Sequence, residues 1–415
     1  MPNPAAGVFK QLAYKVETTY GDAPTQASAQ ALRRVQSTVD LTKETYQSNE
    51  IRTDMQVADF RHGVRRVQGR LSGELSPKTY ADFVAYALRR DFAAVTGWTG
   101  ATVTIGAPVS GVYPITATGV TVLAGGLKVG HVIRFTAGTL AAANQQVNLL
   151  VTDITSETAF NVMPLNGKTL TQESAKTGCA FSVSGKTTYV PSTSHTDKSF
   201  ALEHWYSDLS QSELFLGCKV SRIGLALPPT GMATIDMEVM GKDYADTTAK
   251  RGAVALSSQY FTSPTAATST GILAAVNGIL RAGGTTIATL TGLSLDITSN
   301  YSGDPVVGSN MVPFLFAGRV MVSGQLTAYF DSATLRDAFV NETEIDLIAA
   351  LTASNLDGAD FISIALPRIK LGGAQKSDGE SGIVQTIPFQ ALYNSAGGSG
   401  IKTEKTTIQV QDSAA

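Results

Sequence analysis

The stretch VQGRLSGELSPKTYAD, Val67 to Asp82, is answered 255 positions later by VSGQLTAYFDSATLRD, Val322 to Asp337. Laid over each other without gaps, the two agree at Val67/Val322, Gly69/Gly324, Leu71/Leu326, Thr79/Thr334 and Asp82/Asp337. Alone this is a weak echo, but its surroundings recur as well. Upstream, Val39-Asp40-Leu41-Thr42 is matched by Leu295-Asp296-Ile297-Thr298; downstream, Val220-Ser221-Arg222-Ile223 is matched by Leu366-Pro367-Arg368-Ile369. The alternating runs ATIDMEV (Ala233 to Val239) and QTIPFQA (Gln385 to Ala391) follow in the same order. Four segments in one order predict two copies of one folding unit.

Arg222 and Arg368 are only 146 positions apart, so the first copy carries about 109 residues that the second lacks, all between Asp82 and Arg222. From Gly97 to about Val190 the chain turns to short Thr/Val/Gly alternations with few fixed charges. The expected division is a discontinuous first unit (1–92 and 195–245), an inserted β domain (97–190) projecting outward, and a second unit (246–415). Asp243 to Thr289 reads as a linker followed by the opening strands of the second copy.

Each copy predicts the same elements. A strand, about Gln36 to Thr42 or Gly292 to Thr298, leads through a long polar connection into a period-2 strand. There Val67, Leu71 and Leu75 face inward and Gln68, Arg70, Ser72 and Glu74 outward, the half-buried alternation of an antiparallel sheet. The twin puts Val322, Leu326 and Phe330 inward. Ser76 is placed to N-cap a following helix with Pro77 at its first position, and Tyr80, Phe83, Val84, Ala87 and Leu88 form its apolar stripe. Asp331 takes the cap in copy two, with Leu335, Ala338 and Phe339 opening the stripe. In the insert, Leu127 to Gly138, Val147 to Thr155 and Cys179 to Gly185 read as short strands of a small barrel or sandwich.

Composition sets the remaining bounds. Charged residues are 16% of the 415, against 43% hydrophobic, and the net charge of −2 leaves no broad basic face for nucleic acid. Cys179 and Cys218 lie in no metal spacing and read as small buried hydrophobes. The N-terminus lacks a basic and apolar leader, and no apolar stretch approaches the roughly 18 residues of a spanning helix, so synthesis in a cytosol is expected. Gly185-Lys186-Thr187 and Gly167-Lys168-Thr169 lack the upstream glycine of a phosphate loop and are expected to be hairpin turns. His62, His131, His195 and His204 have no metal spacing and no nucleophile elbow exists; Gly372 to Gly382, with Asp378 and Glu380, reads as a hairpin loop rather than a calcium loop. No catalytic residue, cofactor or metal site is expected.

Two connections exceed what a turn needs. Glu44 to Arg66 carries Glu44, Glu50, Asp54 and Asp59 against Arg52, Arg61, Arg65 and Arg66. It is either a solvated mobile loop or an arm that docks on a neighbouring subunit. Ser299 to Arg319 holds the run MVPFLF, better explained if buried against another chain. The candidate contact residues are Glu50, Arg52, Asp54, Asp59, Arg61, Arg65, Val312, Phe314 and Phe316.

The VDLT strand end, the long polar loop ending in RRVQGRLSGEL, and the segment SPKTYADFVAYALRRD together resemble the tail tube proteins of long, non-contractile-tailed bacteriophages. The likeness covers both copies. It implies an all-β fold with minor helix: two tandem sandwich-like tube domains, each flanked by one helix, plus an inserted barrel or Ig-like module. It further implies a virion subunit assembled in the bacterial cytoplasm, three chains giving six domains in a ring, with rings stacked around a lumen that conducts DNA. Partners implied are further copies of the chain, a tape measure protein and DNA inside, and tail terminator and distal tail proteins at the ends, without membrane binding. The faces expected to line the lumen are Gln68, Arg70, Ser72, Glu74, Asp236, Glu238, Ser323, Gln325, Thr327 and Gln390, with Arg70 pairing Glu74 or a neighbour. Rival readings are another ring or injection-tube protein of the same fold, or a β-rich adhesion or carbohydrate-binding protein.

Overall fold

The computed structural model describes residues 4–287, 290–331, 333–377 and 382–415, so Asp378 and Glu380 of the acidic loop lie outside the described residues. In the first half, strands β1 (Lys10–Val16), β2 (Asp40–Gln47) and β3 (Phe60–Glu74) precede helix α1 (Ala81–Leu88). After the inserted segment come β4 (Phe200–Tyr206), β5 (Gln211–Leu227) and β6 (Thr234–Gly241). The second half runs β7 (Gly278–Ala282), β8 (Leu290–Thr298), β9 (Met321–Tyr329), helix α2 (Thr334–Val340), β10 (Ile345–Thr352), β11 (Phe361–Leu371), β12 (Val384–Ala391) and β13 (Gln409–Asp412). The chain is mostly strand, with two α-helices among the described residues.

Antiparallel pairing follows one scheme in both halves: β1-β4-β5-β6-β3-β2 in the first, and β7-β10-β11-β12-β9-β8 in the second. The halves are fused edge to edge, because Arg222 to Leu227 of β5 pair with Thr298 to Leu293 of β8. One sheet, β2-β3-β6-β5-β8-β9-β12, therefore crosses both. Its inner face carries the row Leu71, Met237, Ile223, Ile297 and Val322, none more than 1% exposed. Alternate residues of β10 and β11, among them Leu347, Ala349, Ile364 and Leu366, close the other side of the same core.

The inserted segment forms a closed six-stranded barrel: 159–164, 113–118, 98–105, 173–183, 132–137 and 149–156, the last pairing back onto the first. Closure leaves no free strand edge. Trp98 stacks on Phe181 at 5.0 Å in its own core. The barrel does not stand free of the body. Val132, Leu150 and Leu165 pack on Ile348, Ala350, Phe361 and Ala365, the outer face of β10 and β11. Buried Gln411 of β13 accepts from the Val132 N–H (2.7 Å) and donates to the carbonyls of Val132 (2.8 Å) and Ser184 (2.6 Å). The corresponding outer face of the first half, Ala201, Leu214 and Leu216, is covered by the join between the halves through Ala245, Tyr260 and Phe261. Glu203, fully buried there, accepts from the Phe261 N–H at 3.0 Å and the Tyr260 N–H at 2.5 Å.

Several sequence expectations are corrected. Helix α1 starts at Ala81, with Tyr80 rather than Ser76 at its N-cap. Lys78 holds φ +67°, a left-handed backbone that interrupts any helix there, and its N–H is drawn to Asp412 Oδ2 at 2.7 Å. Ser76 instead bonds the Thr79 hydroxyl. In helix α2 the N-cap position falls on Ala333, two residues beyond Asp331, and none of its residues is buried; Phe339 is 38% exposed. The Glu44–Arg66 connection is no loop but a hairpin, β2 continuing into β3 with its tip at residues 48–59. Neither Gly-Lys-Thr is a hairpin turn. Lys186 to Tyr189 pair with β13, and Lys168 meets Asp357 at 2.5 Å.

Candidate functional site

All ten residues expected to line a lumen stand on one face of the shared sheet, because strands of period 2 put alternate side chains on opposite faces. Registers align them in rows perpendicular to the strands. One row reads Ser72, Asp236, Gly224, Asp296, Ser323, Gln390 across six strands. A second reads Glu74, Thr234, Ala226, Ser294, Gln325, Pro388, and a third Arg70, Glu238, Arg222, Thr298, Met321. Gln68 lies beside Asp40 and Met240, and Thr327 beside Thr386. The intervening residues of the same strands are the buried core, so this face is the open one.

Charges on the face form one network. Arg70 donates to Glu238 at 2.8 Å and lies 3.8 Å from Asp236. Arg222 reaches Glu238 at 3.4 Å, Asp236 at 3.8 Å, and Asp296 across the seam between the halves. The hydrogen bond to Glu238, with Asp236 behind it, pushes the Arg70 pKa up. Arg70 thus pairs with the neighbouring strand and not with Glu74. Within these three rows four carboxylates (Glu74, Asp236, Glu238, Asp296) face two guanidinium groups (Arg70, Arg222), an acidic excess. Arg222 and Asp296 were not among the expected lining residues. Their signal was present in the alternation SRIGLAL and LSLDIT, where every second side chain is apolar.

The contact candidates divide. Glu50, Arg52, Asp54, Asp59 and Arg61 are exposed at the hairpin tip, where Arg52 pairs with Asp54 at 2.8 Å and Arg61 with Asp59 at 2.7 Å. Around them Ile51, Met55, Val57 and Phe60 are exposed hydrophobics. Arg65 is not part of that tip surface: its side chain is 11% exposed and binds Asp243 and Asp246 of its own chain at 2.9 and 3.1 Å. Its N–H also donates to Asn310 of the second long connection at 2.8 Å. Within that connection Val312 is buried in its own chain, together with Leu315, while Phe314 and Phe316 point outward at 62% and 65% exposure. Val312 and Leu315 close on Gly303, where an added side chain would meet them at 2.7 and 3.0 Å; hydropathy alone did not mark which of MVPFLF face in.

Among the described residues no three His, Cys, Asp or Glu side chains stand close enough to hold a metal ion, and no helix is long and apolar enough to cross a membrane. His131 is buried, accepting from the Lys128 N–H at 3.1 Å, and burial with Lys128 beside it lowers its pKa to about 3. His204 is buried against Ser37 at 2.8 Å. Both are structural, and both cysteines are free and buried.

The chain thus presents a sheet with one apolar and one polar face that runs through two fused halves of like strand order. The model of the phage tail tube protein family matches residues 10–391. The chain belongs to that family. No curated protein matches it. The match spans both halves of the tube protein and the barrel inserted in the first, so the barrel lies inside the matched region rather than beyond it.

Proposed function

We propose that this tail tube protein is the ring subunit of a long non-contractile phage tail: three copies, each supplying two equivalent halves of one duplicated unit, close into a pseudo-sixfold ring. Rings stack into a tube whose lumen conducts DNA at infection. The carrying observation is the single sheet that runs through both halves with one continuous polar face. A sheet of this kind with open ends exposes backbone groups, and circular closure satisfies them. The polar face is the lumen wall. A conduit must not bind its cargo, and each cation that neutralised a phosphate would add affinity through counterion release; here carboxylates outnumber guanidinium groups. The hairpin tip, with Phe314 and Phe316, serves contact between stacked rings. The role is structural and non-enzymatic, in a virion tail assembled in the host cytoplasm, with tape measure protein and DNA inside and terminator and distal tail proteins at the ends.

Electron microscopy of the purified protein tests this. Threefold rings or hollow filaments with external knobs are expected. Compact monomers at every concentration would overturn it.

A further inference from the structure

We infer that one backbone register closes the ring: Gly373–Ser377 of one chain pairs antiparallel with Thr38–Thr42 of a second copy, Gln375 opposite Asp40. This rests on the ring reading above and is derived from the joint that the chain already makes with itself. In that joint Gly224 stands opposite Asp296, Ile223 opposite Ile297 and Ala226 opposite Ser294.

Registers carry each of these positions into the other half. Gly69 meets Val239 as Gly324 meets Phe389, and Val239 meets Val220 as Phe389 meets Leu371, so Leu371, and not the Leu366 that the sequence echo suggests, answers Val220. Four residues on, Gly224 lies opposite Asp236 and Gln375 opposite Thr386. Between those two points each half takes the same one-residue step in register, which makes Gln375 the counterpart of Gly224. On the other strand, Asp40 meets Gln68 as Asp296 meets Ser323, so Asp40 answers Asp296. The internal joint therefore translates without a gap: Ala374 falls opposite Leu41, Ser377 opposite Thr38 and Gly373 opposite Thr42.

Both segments are free to make it. Among the described residues β2 has β3 as its sole strand neighbour, and Gln375–Lys376 has β12 alone. Thr38, Asp40, Gln375, Lys376 and Ser377 are exposed. The faces agree at four of the five pairs, Gln375, Asp40, Ser377 and Thr38 extending the polar face and Ala374 with Leu41 the apolar one, while Lys376, opposite Val39, lies over the Phe330 ring. One feature does not translate. Arg222, which clasps Asp296 across the internal seam, is answered by Gly373, so Asp40 meets no arginine at the joint between chains. The ring thus alternates clasped joints within chains and unclasped joints between them.

The register is tested by oxidising the double variant Asp40→Cys/Gln375→Cys, since directly opposed Cα atoms of antiparallel strands lie within disulfide reach and the two native cysteines are buried. Covalent oligomers whose ladder ends at the ring size are expected. If rings form but only Asp40→Cys with Gly373→Cys or Ser377→Cys cross-links, the register is wrong while the tube reading stands. If the protein stays monomeric by sedimentation at every concentration, both fall. The missing clasp gives a second test in the opposite direction. A side chain at Gly373 would meet Pro388 at 3.6 Å, ordinary contact, so Gly373→Arg is tolerated. It should lower the half-assembly concentration about two- to fivefold, as one exposed ion pair does, and adding Asp40→Asn should cancel the gain. An unchanged assembly curve in a normally folded Gly373→Arg protein would refute the joint.

Discussion

Gln411 makes the docking of the barrel open to a single-residue test. Its amide spans the seam with three hydrogen bonds to Val132 and Ser184, and it is 1% exposed. Replacing it by Leu, close in volume, keeps the packing and removes the polar contacts. The Val132 carbonyl still accepts from the Ser184 N–H at 3.0 Å, so two groups are orphaned: the Val132 N–H and the Ser184 carbonyl. Each buried orphan costs about 1–3 kcal/mol, giving a loss of about 2–6 kcal/mol, a large share of a typical domain's stability. Because barrel and body form separate cores, unfolding need not be two-state, and the assay must localise the loss. Trp98 reports on the barrel and Trp205 on the body, so urea unfolding followed in Trp98→Phe and Trp205→Phe backgrounds separates them. Hydrogen exchange followed by mass spectrometry should show faster exchange at Val132 and Ser184. A loss below about 1 kcal/mol, with exchange unchanged, would mean that the apolar contact alone holds the barrel and that the amide is incidental.

Asp412 is buried and its pKa is pushed up to about 6, against 3.8 ordinarily, chiefly by burial. The folded state then holds the proton more tightly than the unfolded one, so this carboxyl's contribution is fully present below pH 3.8 and is lost as pH rises through 6; about 3 kcal/mol of pH-dependent stability follows. Asp412→Asn should flatten the melting temperature between pH 4 and 7, and an unchanged slope would exclude Asp412 as its source. Excision of the barrel between Gly97 and Val183 uncovers Ile348 and Phe361, each worth about 1.5–3 kcal/mol when buried, so the excised protein should aggregate unless those positions are made polar; a soluble, assembling deletion would show the barrel to be a mere appendage. Converting Asp236, Glu238 and Asp296 to Lys should make assembled tubes retain DNA at low salt, with binding that weakens as salt rises; no retention would argue that this face is not the lumen.

Period-2 alternation made the fold class and the polar face legible, since Val67 to Leu75 and Ala233 to Val239 can serve only as half-buried strands. Alternation also concealed an error. The runs ATIDMEV and QTIPFQA align best with Ile235 over Ile387, whereas the registers set Met237, opposite Leu71, against Ile387, opposite Leu326. A slip of two residues keeps every side chain on its proper face, so hydropathy is blind to it. The start of α1 was hidden for another reason: the carboxylate that holds Lys78 out of the helix belongs to Asp412, far along the chain. The outer half of β3 was missed because FRHGVRR shows no apolar alternation: Phe60, Arg61 and His62 are exposed in succession, and the inward place of Arg65 is held by ion pairs to Asp243 and Asp246.

Comparison of matched positions in the two halves explains why the barrel sits where it does. Leu214 lies opposite Glu203, and its counterpart Ala365 lies opposite Ile348, so Glu203 and Ile348 hold the same place on the outer face of their sheets. Both are buried. In the first half the cover is the join, whose Tyr260 and Phe261 N–H groups are paid for by the Glu203 carboxylate; in the second it is the barrel, which meets Ile348 with apolar side chains. Each half of the sandwich therefore has a lid, and the two apolar lids, made from different pieces of one chain, differ in chemistry at this one place. On this second outer face the strand β13 does not act as the cover but pins the barrel that does, through Gln411. The inserted segment, encoded in the first half, solves the problem of the second, which ties the halves together more firmly than their shared strand edge alone would.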